Sequence, residues 1–187
     1  MNLPAAADLA ELVRLPAVLS VPGDVLVGAA ASGQVGNVGR TAGLVASSSC
    51  LYLAGMALND YADREVDAVE RPGRPIPSGR VSPAFALGLA GALTVSAAAL
   101  AVAADGKRAL TVLAPLTAAV WGYDLALKSG PAGVAAMSAC RGLDVMMGSG
   151  TQGAARALPA AAVVTAHIGV VTTVSRQETS GGGPWVV

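Results

Sequence analysis

One Asn and three Asp recur at short intervals in the segment Asn59-Asp60-Tyr-Ala-Asp63-Arg-Glu-Val-Asp67. On a helix advancing 100° per residue, Asp60, Asp63 and Asp67 fall within an arc of about 60° on one face. Three carboxylates so placed repel one another unless a cation joins them. Mg2+ suits the donors, because it is held by one or two carboxylates together with substrate phosphates. The next residues, Arg71-Pro-Gly-Arg74-Pro-Ile-Pro-Ser-Gly-Arg80, supply three guanidinium groups. Guanidinium binds phosphate at two points, and the prolines stiffen the loop that carries it. Asn59 adds a neutral oxygen ligand or a phosphate-positioning group. The residues thus describe a metal–diphosphate site, against the plainer alternative of a solvated loop of mixed charge. The segment holds nine of the chain's 24 charged residues, which favours the site.

The elements that must position this segment are membrane helices. Of the 187 residues, 53% are hydrophobic and only 13% charged, with a mean hydropathy of +0.59. A soluble domain carries about 25% charged residues. Forty Ala and 23 Gly make up about a third of the chain, a composition suited to close helix packing in lipid. Six apolar stretches are legible, over 15–31, 41–59, 81–104, 109–123, 131–148 and 157–175, each near the ~20 residues a bilayer crossing needs. Turn-rich connections are expected near 32–40, 104–108, 128–131 and 149–156. The charged connection from 60 to 81 is the long one. No secretory leader is expected, since Asp8, Glu11 and Arg14 precede the first apolar run.

Charge settles what the chain does not bind. Twelve Lys and Arg balance twelve Asp and Glu, so no excess positive charge exists for nucleic acid. Two cysteines do not make a disulfide scaffold, and one His cannot make a histidine metal site. If the 60–81 connection faces the cytoplasm, Arg14, Arg64, Arg71, Arg74, Arg80, Lys128 and Arg176 lie inside. Arg40, Lys107, Arg108 and Arg156 then lie outside, a seven-to-four bias that places the N-terminus inside as well.

The segment NDYADREVDAVERPGRPIPSGRVS, at the end of a second membrane helix, resembles the first Asp-rich motif of the UbiA-type intramembrane prenyltransferases. The resemblance extends from about residue 11 to 182. It takes in Tyr123-Asp-Leu-Ala-Leu-Lys128, which is similar to the family's Tyr…Lys loop, and Cys140-Arg-Gly-Leu-Asp-Val-Met-Met-Gly148. It implies an all-α transmembrane bundle, six spans here of a roughly nine-span fold, forming one domain over 1–187 that lacks its last three helices. It also implies transfer of a prenyl group from a polyprenyl diphosphate to an acceptor within the lipid bilayer, taken to be that of a bacterial cell. By the same resemblance Asp60, Asp63 and Asp67 hold Mg2+ and the diphosphate, Asn59 assists them, and Arg74 and Lys128 contact phosphate. The family's second Asp-rich motif is replaced by Ser175, Arg176, Gln177, Glu178 and Thr179. Of these, Arg176 remains for substrate and Glu178 for the metal.

Four chargeable residues, Asp24, Arg141, Asp144 and His167, lie inside the expected spans, where charge is costly and usually faces a cavity or a partner. Asp24, after a Pro22-Gly23 break, either lines the substrate chamber or is a buried carboxylate bonded to freed backbone. Arg141 either pairs with Asp144 three residues on, or reaches the diphosphate from the fifth helix. His167 is either bonded to a neighbouring helix or accepts a proton from substrate. Acceptor, prenyl length and self-association stay open. A non-catalytic protein that binds or moves an isoprenoid diphosphate is the alternative to the enzyme.

Overall fold

A computed structural model describes residues 4–179, whose regular elements are all helices, without strands. Helix α1 (Ala6–Leu12) leads through Arg14 into a tight turn (Leu15–Ser20) and α2 (Pro22–Ala31). Pro22 occupies the first position of α2, where its missing N–H costs nothing. The first apolar stretch therefore runs as this turn followed by α2, and the segment Leu15–Ala31 is bent by 50° from α1. Helix α3 (Val38–Ala62) begins with Asn37 accepting a hydrogen bond from the Arg40 backbone, and α4 (Arg64–Glu70) follows a single non-helical residue, Asp63. The long charged connection from 60 to 81 thus carries a helix of its own. Helix α5 (Pro83–Asp105) is capped by Ser82, and α6 (Leu110–Gly122) continues into a π-helical turn over Tyr123–Leu127.

Helix α7 (Gly130–Thr179) is 50 residues long, about 75 Å if straight and far more than a bilayer needs. It is not straight. Gly150 has φ +62° and ψ 175°, outside the helical region, and the chain reverses there. Arg176 consequently donates to the carbonyls of Gly130 and Lys128 at 2.7 and 2.6 Å. The turn-rich stretch expected over 149–156 shrinks to this one glycine. Among the described residues four helices are long and apolar enough to cross a membrane, or five with the bent pair as one. The two limbs of α7, 130–149 and 151–179, correspond to the fifth and sixth apolar stretches.

Lipid supplies no hydrophobic force between helices, so close approach has to hold them together. Ala54, Ala97 and Ala101 are fully buried in the α3–α5 contact, and the Ser47 hydroxyl donates to the Ala97 carbonyl at 2.6 Å. Helix α2 lies on the first limb of α7 through two reciprocal glycines. A side chain at Gly28 would enter the Val145 backbone, and one at Gly148 the Val25 backbone. Charges collect at two ends of the bundle. At one end Arg40, a residue that the loop count treats as a solvated charge, is buried, grips both carboxylate oxygens of Asp105 at 2.6 and 3.0 Å and donates to the Gly148 carbonyl at 3.0 Å. The other end carries the Asp-rich segment.

Candidate functional site

The three carboxylates of the motif do not share one face around one cation. Asp63 falls in the break between α3 and α4, with φ −88° and ψ 3°, and this turns the chain. Asp60 on α3 and Asp67 on α4 then converge on Arg74, whose Nη1 lies 3.3 Å from Asp60 Oδ1 and 2.6 Å from Asp67 Oδ2. Asp63 points elsewhere and takes the Lys128 ammonium at 2.7 Å. Asp60 and Asp67 are buried, Asp63 half-buried. Each acid is already neutralised by a base, so the expected repulsion is relieved from within the protein.

Three further side chains complete the site. Arg14 donates to Asn59 Oδ1 at 3.1 Å and to Asp60 Oδ1 at 3.0 Å. Its backbone sits at φ +48°, the left-handed region, the only such non-glycine residue among those described. A strained conformation of this kind costs about 1–3 kcal/mol and persists only where surroundings enforce it. Asp124 is buried, accepts from the Asn59 amide at 3.0 Å and lies 3.7 Å from Lys128. Arg71 stands 3.7 Å from Asp67. Arg14 had entered the sequence reading only as a loop charge, and Asp124 only as part of a similar stretch. A carboxylate four residues before Lys128 was the available signal for the second; for Arg14, far away in sequence, there was none. At the rim, Arg80 ties the loop to α1 by bonding Glu11 and Asp8, which hold its guanidinium above the ordinary arginine value.

Of these groups Arg14, Asn59 and Asp124 line the mouth of a cavity of about 630 Å³ between α3, α6 and both limbs of α7, and the other acids and bases join it from outside through their ion pairs with Arg14, Asp60 and Asp124. Its walls are largely apolar, with Leu51, Met56, Leu116, Val120, Ile168 and Val171 among them. Arg141 and Asp144 line it deeper in, but not as a pair. Arg141 Nε lies 2.8 Å from Asp24 Oδ2, while Asp144 Oδ1 accepts from the Ser48 hydroxyl at 2.6 Å. The ion pair expected within one helix is replaced by links between helices, because α2 and α3 both pack against that limb. Arg176 lines the mouth. Glu178 is on the last turn of α7, and its side chain lies outside the described residues. His167 is exposed on the second limb, does not line this cavity and has no hydrogen bond to a neighbouring helix among the described residues.

Mg2+ takes oxygen donors, typically one or two carboxylates completed by phosphate oxygens and water. Asp60, Asp63 and Asp67 offer that chemistry at the mouth. Among the described residues no three His, Cys, Asp or Glu side chains are grouped to hold a metal by themselves. The donor set therefore fits an ion brought in with a phosphate ligand, and does not fit a closed protein cage.

Apolar helices around a chamber with a charged mouth define a polytopic membrane protein. The UbiA prenyltransferase family matches residues 21–176, and the chain belongs to that family. A digeranylgeranylglyceryl phosphate synthase of Halobacterium salinarum is 36% identical over 173 residues, covering 90% of this chain and 60% of that protein. One from Methanopyrus kandleri is 46% identical over 90 residues, 43% of this chain and 32% of that protein. The chain thus spans about three-fifths of the length of the Halobacterium relative. These relatives are archaeal and give no support to the bacterial membrane expected from sequence. A solved structure described as "Structural and mechanistic insights into the biosynthesis of Digeranylgeranylglyceryl phosphate synthase in membranes" superposes with a TM-score of 0.73 at 18% identity, over 85% of this chain and 56% of that one. That likeness is one of fold.

Proposed function

We propose that the protein transfers a prenyl group from a polyprenyl diphosphate to a hydroxyl of a glyceryl phosphate lipid. The observation that carries this is the mouth itself, where Arg14 and Asp124 line an apolar cavity and connect it to the ion pairs of Asp60, Asp63 and Asp67 with Arg74 and Lys128. The relatives' name describes a glyceryl phosphate bearing two geranylgeranyl groups. Such a product requires geranylgeranyl diphosphate as donor and geranylgeranylglyceryl phosphate as acceptor.

In this reading the diphosphate exchanges places with the internal partners. Arg74, Lys128 and Arg14 turn from carboxylate to phosphate, and Asp60, Asp63 and Asp67 become free to hold Mg2+. The ion, when bound, neutralises charge growing on the departing diphosphate. Asn59 and Asp124 hold the Arg14 and Lys128 side chains at the mouth. The apolar walls take the prenyl tail and keep water from the allylic carbon, so fixed charges act there with little screening. The seven-to-four bias of Lys and Arg in the connections supports a cytoplasmic mouth in this reading.

The test is the full chain in lipid nanodiscs with the two substrates just named. Prenyl ether and pyrophosphate should appear together. Asp63→Asn and Lys128→Ala should each lower turnover at least a hundredfold, the range of a lost transition-state contact of this kind, while the proteins still insert. Full turnover in both variants, or no ether from the unaltered chain, refutes the proposal. A second reading is motivated by Ser175, Gln177 and Thr179, which stand where the family carries acids: the chain binds the diphosphate lipid without chemistry. It predicts Mg2+-dependent binding with no pyrophosphate release.

A further inference from the structure

Asp124 carries an oxygen that the mouth does not use. Its Oδ1 accepts from the Asn59 amide at 3.0 Å and faces the Lys128 ammonium at 3.7 Å. Its Oδ2 has no hydrogen bond or ion pair among the described residues. The residue is only 6% exposed and lines the cavity, yet Oδ2 is not sealed from open space. Gly55 on α3 lines the cavity beside it. A Cβ there would stand 3.7 Å from Oδ2 and 3.0 Å from Val120 Cγ1, filling the gap that leads to this oxygen. A shielded carboxylate oxygen without a donor is costly, and a ligand that brings a donor removes the cost.

The surroundings select the donor. A second anion would be repelled by the carboxylate, and the walls next to it, Val120 and Leu116, are apolar. A neutral hydroxyl on a lipid suits both, giving one hydrogen bond to Oδ2 and its tail to the walls. Reach decides whether that hydroxyl can react. An attacking oxygen stands about 3–3.5 Å from its carbon, and its hydrogen bond to a carboxylate spans about 2.7 Å. With the bond of about 1.5 Å from that carbon to the leaving oxygen, the carboxylate has to lie within about 7–8 Å of the diphosphate. A phosphate oxygen held by Lys128 lies about 2.8 Å from Nζ, and Nζ lies 3.7 Å from Asp124 Oδ1. The diphosphate is therefore within range. The other cavity carboxylate, Asp144, is not. It bonds Ser48, which precedes Asn59 by eleven residues on α3, about 16 Å along the axis.

We infer that Asp124 Oδ2 seats the hydroxyl of the lipid acceptor, with Gly55 keeping the approach open. This rests on the transfer reaction proposed above. Asn59 and Lys128 hold the carboxylate by Oδ1, which leaves Oδ2 for the alcohol. One side chain thus sets the spacing of the two substrates: Oδ1 steadies the cation that takes the diphosphate, and Oδ2 holds the oxygen that meets the allylic carbon.

The test is a binding cycle on the full chain in nanodiscs, without donor. The probes are radiolabelled geranylgeranylglyceryl phosphate and its analogue in which hydrogen replaces the free hydroxyl. The unaltered chain should bind the hydroxyl form about tenfold or more tightly, the effect of a hydrogen bond to a charged group. Asp124→Asn should shrink that preference to about twofold. Gly55→Ala keeps the carboxylate and should also shrink it, so the seat stays testable if Asp124→Asn fails to insert. Equal binding of the two lipids by the unaltered chain, no binding of either, or a preference that survives these substitutions overturns the assignment. Ether formation, measured separately with geranylgeranyl diphosphate added, judges the reaction itself. A chain that shows the preference but makes no ether loses the proposed activity and keeps the seat; one that makes ether without the preference keeps the activity and loses the seat.

Discussion

Arg74 is the keystone of the carboxylate mouth, and a double-mutant cycle with Asp67 measures what it holds. Asp67 is 4% exposed and Arg74 22% exposed at the side chain, with 2.6 Å between Nη1 and Oδ2. A fully exposed ion pair contributes about 0–1 kcal/mol, and a hydrogen bond to a shielded charge about 1.5–3 kcal/mol. This pair lies nearer the second case, discounted for the exposed fifth of Arg74, which gives about 2 kcal/mol. Arg74→Ala leaves Asp67 with only Arg71, at 3.7 Å, and Asp60 with Arg14, at 3.0 Å. For a chain of this length, about 2 kcal/mol lowers Tm by about 4–8 °C. Asp67→Asn should cost a similar amount, because Arg74 keeps Asp60 at 3.3 Å. In the double variant the second change removes an interaction already lost. The two effects should fall short of additivity by about 1–2 kcal/mol. The assay is thermal unfolding of the four proteins in one detergent, without Mg2+. Additive losses, within about 0.5 kcal/mol, would refute the claim that Arg74 binds Asp67 in the resting protein.

Other consequences can be checked with the same preparations. A chelator should stop prenyl transfer and added Mg2+ restore it; transfer persisting in the chelator would sink the carboxylate–metal reading. Mg2+ should also raise the Tm of Arg74→Ala more than that of the unaltered chain, since the variant frees two carboxylates for the ion, whereas equal shifts would mean the carboxylates are not its ligands. Asp105→Asn should cost about 3–5 kcal/mol by stranding the buried Arg40 guanidinium, yet leave both substrate KM values unchanged, because the pair lies at the opposite end of the bundle. Gly148→Ala should cost about 3 kcal/mol or more and lower folded yield in membranes, as its Cβ would enter the Val25 backbone.

The apolar stretches were legible because lipid demands long uncharged runs, and such runs have few alternative readings. The polar mouth was legible as a set of residues but not as an arrangement. Helical periodicity placed Asp60, Asp63 and Asp67 on one face, and it failed at Asp63 because one non-helical residue there restarts the helix. Arg14 was invisible since its partners are more than forty residues away and its approach depends on a left-handed backbone. Arg141 and Asp144 were read as a local pair because spacing along one helix is all that a sequence displays. Which neighbouring helix reaches them is a matter of packing. Gly150 shows the same limit from the other side: a single glycine with positive φ replaces the eight-residue turn suggested by composition.

The departures from regular helix share a logic. Irregular backbone is tolerated at membrane depth only where protein or a cavity satisfies it, and here it falls beside the mouth or at a reversal. The break at Asp63 divides one acidic face in two, so that Arg74 and Lys128 each take part of it. The π-helical turn over Tyr123–Leu127 adds a residue to the end of α6, and Asp124 and Lys128 then face the same mouth, 3.7 Å apart. Regular helices in these two places would present three acids to one another and would take Lys128 off the wall. If this reasoning holds, inserting one alanine after Asp63, which rotates α4 by about 100°, should remove Asp67 from Arg74 and abolish Mg2+-dependent stabilisation while the protein still inserts. Unchanged stabilisation by Mg2+ in that insertion variant would show that the break at Asp63 does not set the site.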